Sequence, residues 1–253
     1  MIRESVYRTE YLMPEARDNH AAPRSIELLW RNHGSSTRGP RPRLDLDQIV
    51  RAAMNVADDE GLEPLSMRKV AEKLGVGTMS LYTYVPGKGE LLDLMFDQAV
   101  AGANELGEGT WRERVERIAH ENWWRCHRHP WLLEITPTRP VMGPNVVARY
   151  EHELAALDGI GLTDQEMDAV VSLVAGHVER AARTALRSAR MAAGAAALEP
   201  RVTAGQFPTV VRVGAAAGEE PNEAYAPEHS FEFGLSCILD GVAALVQGRS
   251  SVG

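Results

Sequence analysis

The chain has 253 residues, with 27 Lys plus Arg against 35 Asp plus Glu and a formal net charge of −8. At 44% hydrophobic and 25% charged it has ordinary globular composition and enough length for a sizeable core and more than one domain. No stretch approaches the roughly 18 consecutive apolar residues that a membrane span needs. The start, MIRESVYRTEYLMPEARD, mixes acids and bases without the apolar run of a secretory signal. Cys126 and Cys237 are too far apart in sequence for a CxxC metal or redox pair and too few for a disulfide framework. The expectation is a soluble, intracellular, acidic protein with no cofactor.

Residues 1–37 show no sustained periodicity. They read as a mostly disordered extension, with Trp30 at the end of the apolar run IELLW placed to dock on the body. TRGPRPR follows as a stiff basic arm carrying Arg38, Arg41 and Arg43. Leu46, Ile49, Val50, Ala53, Val56 and Ala57 then recur at helical spacing behind an Asp45/Gln48 capping box, and Gly61 stops that helix. Ser66 caps a short helix with Val70, Ala71 and Leu74 inward, which Gly75 ends. A third helix runs from shortly after Gly75 to about Val85, closed by Pro86-Gly87. A fourth carries Leu91, Leu92, Met95, Phe96 and Ala99.

Beyond Gly109 the helices lengthen. Thr110 and Glu113 form a second capping box before Val115, Ile118, Ala119, Asn122, Trp123 and Cys126. Pro144 fits the first turn of a helix bearing Val147, Tyr150, Leu154 and Leu157, halted by Gly159 and Gly161. Thr163 with Glu166 opens the longest helix, about residues 164–190. Residues 194–225 are rich in Gly, Pro and Ala and read as a long loop with one short element, FPTVVRV. The last helix carries Phe231, Leu235, Ile238, Leu239, Val242, Leu245 and Val246. No strand-like alternation occurs, so the fold class is all-α.

The window from Leu65 to Leu92 carries the chemistry. Two short helices around Gly75-Val76-Gly77 make the tight corner of a helix-turn-helix. Leu81 and Val85 anchor one side of the second helix; Thr78, Met79, Ser80, Tyr82, Thr83 and Tyr84 form the other. Small hydroxyls can approach base edges, and a thioether can meet a thymine methyl. Tyrosine hydroxyls and Lys88 suit phosphate oxygens. All three lysines of the chain, Lys69, Lys73 and Lys88, fall in this window, which is locally basic despite the acidic total.

LGVGTMSLYTYVPGKGELL resembles the DNA-binding domain of the TetR family of bacterial regulators: Gly-Val, four residues, Leu-Tyr, five residues, Lys, then Leu-Leu. The resemblance spans about residues 44–100 and implies Thr78, Met79, Ser80 and Thr83 at base edges, with Tyr82, Tyr84 and Lys88 on the backbone. Arg68 would reach a guanine or a phosphate, and Ser66 a phosphate. Gly77 lacks the polar side chain many members carry there. The later helices resemble a tetracycline-repressor-type C-terminal domain. That organisation implies a flexible extension over 1–43, the helix-turn-helix domain over 44–103 and an effector-binding and dimerisation domain over 104–253. The helices near 164–190 and 228–247 would form a four-helix interface, with Ala181, Ala182, Ala185 and Ala189 letting backbones approach and Val170, Val174 and Val178 supplying a stripe.

The implied protein is a cytoplasmic, ligand-responsive repressor that binds a pseudo-palindromic double-stranded DNA operator as a homodimer. Its small-molecule effector is unknown. Trp123, Trp131, Met167 and His177 are the candidate effector contacts, with Trp124 and Phe207 behind them, although such residues are more often plain core. Cys126, His127 and His129 do not make a metal site, because adjacent helical positions do not share a face. An all-α ligand-binding protein or enzyme without operator binding is the alternative. No nucleophile elbow, P-loop, HExxH or dinucleotide fingerprint supports catalysis.

Overall fold

A computed structural model describes residues 22–30, 44–102, 106–135, 141–198, 205–219 and 227–250. Among them lie eleven helices and no strand: α1 (Ala22–Trp30), α2 (Leu46–Glu60), α3 (Met67–Leu74), α4 (Thr78–Tyr82), α5 (Lys88–Ala99), α6 (Trp111–Arg128), α7 (Leu132–Ile135), α8 (Pro144–Ala155), α9 (Asp164–Leu198), α10 (Pro208–Glu219) and α11 (Pro227–Ser250). They fall into two compact units. The first holds the described residues up to Arg114 with Trp124–Asp158; the second holds Val115–Trp123 and the described residues from Gly159 onward.

In the first unit the capping box at Asp45 forms as its sequence requires, with Gln48 N–H donating to Asp45 and the Gln48 side chain accepting from Asp45 N–H. Ile49, Val50, Ala53, Val56 and Ala57 bury one face of α2 against α3 and α5. The extension departs from the expected disorder over α1. Ser25, Leu28 and Leu29 are buried at helical spacing, α1 packs on α5, and the Trp30 indole N–H donates to Met142 O at 2.9 Å. Nine residues are too few to hold a helix alone; the packing supplies what the local pattern lacks. The basic arm with Arg38, Arg41 and Arg43 lies outside the described residues.

The entry to α8 is built from another helix. Its N-cap, Gly143, has no side chain to offer, and the carboxylate of Asp97 on α5 takes that place. Asp97 Oδ1 accepts from the backbone N–H groups of Asn145 and Val146, each at 3.0 Å, and Oδ2 accepts from Asn145 Nδ2 at 2.8 Å. A Cβ on Gly143 would overlap that carboxylate. A buried anion at a helix N-terminus satisfies orphan donors and complements the helix dipole. The apolar stripe expected on α8 is only partly inward: Val147 is exposed, Tyr150 and Leu154 are half-buried, and Glu153 is buried beside Arg149 at 3.4 Å.

In the second unit α9 packs on α11. Val170, Val174, Val178 and Ala182 recur every fourth residue and meet Phe231, Leu235, Leu239 and Val242 of similar spacing. The start of α9 lies beside the end of α11: Arg249 holds Glu166 with two parallel hydrogen bonds, at 2.6 and 2.8 Å, and also donates to Gly161 O. These bonds, led by the one from Arg249 and followed by those from Thr163, lower the Glu166 carboxyl pKa to about 2. Helix α9 extends eight residues beyond the expected end, and FPTVVRV opens the 12-residue helix α10. The alanines at 192, 193, 195–197 and 215–217 explain both differences, since alanine is a strong helix former despite its place in a Gly- and Pro-rich stretch. The side chain of Ala189 lies outside the described residues. By length and composition α11 is apolar enough to cross a bilayer, unlike the sequence expectation. Its Phe231–Leu235–Leu239–Val242 face packs against α9, and Glu228, Glu232, Asp240 and Arg249 are spread along it.

Candidate nucleic-acid interface

The corner between α3 and α4 follows from two residues. Ser66 caps α3, its Oγ accepting from Lys69 N–H at 3.2 Å. Gly75 ends it in the left-handed region (φ 66, ψ 31), while Val76 N–H reaches back to Ala71 O at 3.0 Å. Space is open around Gly75, so its backbone conformation alone calls for glycine. The next helix, α4, is five residues long, ending sooner than the expected Val85. Leu81 and Val85 are both fully buried and pin this turn to the core, with Val85 N–H donating to Leu81 O.

That anchoring aims the remaining side chains outward. Met79 is 77% exposed and Tyr82 44%, and Ser80 and Thr83 are exposed beside them. Thr78 is half-buried, and Tyr84 packs partly against the core. An exposed thioether among hydroxyls is chemically suited to base edges, since hydroxyls can hydrogen-bond them and a thioether can meet a thymine methyl. Lys88, at the start of α5, is exposed and donates to Leu62 O at 3.1 Å, which leaves two of its three ammonium donors for another acceptor. Arg68 is 82% exposed and lies 3.7 Å from Glu72.

The structure adds partners that the sequence spacing left unpaired. The last turn of α2 carries Asp58, Asp59 and Glu60, an arrangement the helix dipole disfavours. Glu60 pairs with Lys69 and Asp59 with Lys73 at 3.3 Å, so the lysines of α3 carry ion-pair partners at the surface. Asp58 Oδ1 accepts from His129 Nδ1 at 2.7 Å and from Trp131 Nε1 at 2.6 Å.

The four candidate effector contacts are divided between the two units, Trp131 in the first and Trp123, Met167 and His177 in the second. Trp131 belongs to the core of the first unit, buried and bonded to Asp58. Trp123 and His177 meet in the second unit through a residue the sequence reading placed only in the core, Phe231. Trp123 stacks on Phe231 at 4.6 Å, and His177 stacks on it at 5.9 Å. His177 Nε2 donates to Phe231 O at 2.8 Å, and its ring occupies the space a Cβ on Gly234 would take. His120, which the sequence reading missed, meets Phe231 edge-on at 5.2 Å. Its signal was its position three residues before Trp123 on the same helix face. Met167 is half-buried in the first turn of α9. Trp124 and Phe207 are exposed. His127 contacts Trp124 and His129 contacts Asp58, and among the described residues no group of three or more His, Cys, Asp or Glu is placed to hold a metal ion.

Residues 49–95 match the family model described as bacterial regulatory proteins, tetR family, and residues 103–246 match the tetracyclin repressor-like C-terminal domain. The chain belongs to the TetR family of helix-turn-helix transcriptional regulators. It is 41% identical over 236 residues to the HTH-type transcriptional repressor DrrR1 of Streptomyces coeruleorubidus, covering 89% of this chain and 87% of that one. An HTH-type transcriptional regulator of Saccharopolyspora erythraea is 36% identical over 141 residues, covering 54% of this chain and 59% of the relative. Among solved structures, apo ActR of Streptomyces coelicolor superposes with a TM-score of 0.70 at 29% identity, over 83% of this chain and all of ActR. ActR in complex with actinorhodin superposes with a TM-score of 0.67 at 28% identity, over 82% of this chain and 99% of ActR. This TetR-family chain therefore pairs a helix-turn-helix segment with a helical C-terminal domain.

Proposed function

We propose that the chain is a ligand-responsive repressor that binds a pseudo-palindromic operator as a homodimer, with α4 entering the major groove. The observation that carries this reading is the outward side of α4, where Met79, Ser80, Tyr82 and Thr83 stand exposed on a turn pinned by Leu81 and Val85. Met79, Ser80, Thr78 and Thr83 face base edges; Tyr82, Tyr84, Lys88, Arg68 and Ser66 hold the backbone. One five-residue helix offers few contacts, so two half-sites about one helical turn apart supply the affinity. Its place of action is the cytoplasm, where a bacterial operator lies.

The second copy covers α9 and α11. Only 22% of the apolar window of α11 is buried within one chain, and Phe233, Leu245, Leu173 and Leu186 are exposed on these two helices. Apolar surface of that extent calls for a partner. ActR is a TetR-family protein seen in complex with actinorhodin and with (S)-DNPA, and a small organic effector acting on the C-terminal domain is the corresponding expectation here. An effector that reduces operator affinity a hundredfold must prefer the released conformation by about 2.7 kcal/mol.

The test is fluorescence anisotropy with DNA flanking the protein's own gene, measured across a salt series. The wild-type chain binds with a steep salt slope, and the variant carrying Tyr84→Ala and Lys88→Ala loses affinity and slope together. Undiminished binding by that variant, or a chain that stays monomeric and ignores duplexes, overturns the proposal.

A further inference from the structure

The second unit contains an imidazole with an acceptor at each ring nitrogen. His120 Nδ1 faces Glu116 O at 2.7 Å, one turn back on α6, and His120 Nε2 faces Glu232 Oε1 at 2.6 Å on α11. A neutral imidazole owns a single N–H and can serve one of these acceptors; the other nitrogen then turns a lone pair toward an oxygen. The imidazolium serves both. We propose that His120 and Glu232 form a proton-dependent latch that ties α6 to the first turns of α11.

The surroundings set the direction. Burial of the ring opposes the charged form, but the hydrogen bond to the Glu116 carbonyl, the hydrogen bond to Glu232 and the charges of Glu232 and Glu116 together raise the His120 pKa above its ordinary value. The groups that face the ring are Glu116 on its own helix and Glu232 with the Phe231 ring on α11; α9 contributes His177, stacked on the same Phe231. The adjoining contacts make the latch consequential. Phe231 is held by Trp123 of α6 and His177 of α9, so the residue next to Glu232 is the meeting point of three helices.

A raised histidine pKa places the full stabilising contribution below the unfolded-state value, and the contribution is lost as pH rises through the folded-state value. In the acidic form α11 is tied to α6 by charge and hydrogen bond. In the neutral form the charge and one of the two hydrogen bonds are lost, and one hydrogen bond and the ring contacts remain. The latch makes the packing of α6 on α11 sensitive to proton concentration above the ordinary histidine value.

Side-chain 15N NMR titration of the full-length protein between about pH 5 and pH 9 tests this directly, with His120→Gln used to assign the resonance. The His120 midpoint lies above 6.5, the ordinary histidine value, and moves down in Glu232→Gln, which keeps an acceptor oxygen but removes the charge. Thermal unfolding over the same range shows a fall in Tm with rising pH that is larger in wild type than in His120→Gln. A midpoint at or below 6.5, a midpoint unchanged by Glu232→Gln, or equal pH slopes for wild type and His120→Gln overturns the latch. Should His120→Gln fail to fold, the wild-type and Glu232→Gln titrations still decide.

Discussion

The cap that α5 supplies to α8 makes a quantitative claim about two residues 46 positions apart, Asp97 and Gly143. Gly143 has φ −85, which any residue adopts, so Gly143→Ala carries no backbone strain. Its cost comes from overlap of the new methyl with the Asp97 carboxylate, which is buried and held by three hydrogen bonds and therefore unable to swing away. Overpacking of this kind costs about 1–3 kcal/mol. Asp97→Ala removes a carboxylate that serves two backbone donors and a side-chain amide, and the loss of hydrogen bonds to such a charged acceptor is about 1.5–3 kcal/mol. The two effects share one cause, so they do not add. Once the carboxylate is gone, the two closest overlaps, with Oδ1 and Cγ of Asp97, are gone with it, and the contact with the Cβ at position 97 is the longer one at 2.9 Å. Urea unfolding followed by circular dichroism, run as a double-mutant cycle, reads the coupling. Gly143→Ala should be at least about 1 kcal/mol less costly in the Asp97→Ala background than in wild type. Additive effects within about 0.3 kcal/mol would refute the reasoning, because they would mean the carboxylate is not what excludes the side chain.

Three further outcomes follow from the geometry. Glu166 is held at a pKa of about 2 by Arg249 and Thr163, so its contribution is present above its ordinary value near 4.5 and disappears as pH falls toward 2; acid titration of unfolding should show this loss in wild type, while Arg249→Gln should be flatter over the same interval. Gly75→Ala puts a Cβ at φ 66 with open space around it, so the cost is conformational alone, about 1 kcal/mol by chemical denaturation, and Gly75→Asn should cost less. Lys88→Ala should reduce the dependence of log affinity on log salt by about 0.9 as one phosphate contact is lost, and an unchanged slope would remove Lys88 from the interface and leave it as a tie to Leu62 O.

Local chemistry was legible wherever one short stretch held all the determinants. Asp45 with Gln48, Ser66, Gly75, Thr110 with Glu113 and Pro144 each act through their own backbone or that of residues a few positions away, so the caps and stops appear where the spacing places them. The outward side of α4 was legible for the same reason: Leu81 and Val85 are four apart, and burying both orients what lies between. Partners supplied from elsewhere in the chain were not legible. Nothing near Trp131 distinguishes it from Trp123, yet one donates to Asp58 and the other stacks on Phe231. His177 looked like a polar group on an apolar face; its partner, Phe231 O, lies 54 residues on, and the notch that receives its ring is Gly234.

Periodicity, caps and turn glycines therefore determine that this chain is helical, where its helix-turn-helix bends and which side of α4 is anchored, because those properties depend on intervals of three or four residues. Tertiary structure alone decides that Leu28 and Leu29 have a surface to bury against, that the acids ending α2 find Lys69, Lys73, His129 and Trp131, and that Asp97 fills the empty cap at Gly143. Each of these depends on which groups approach within hydrogen-bonding or van der Waals distance, a condition that folding imposes and that separation along the chain does not encode.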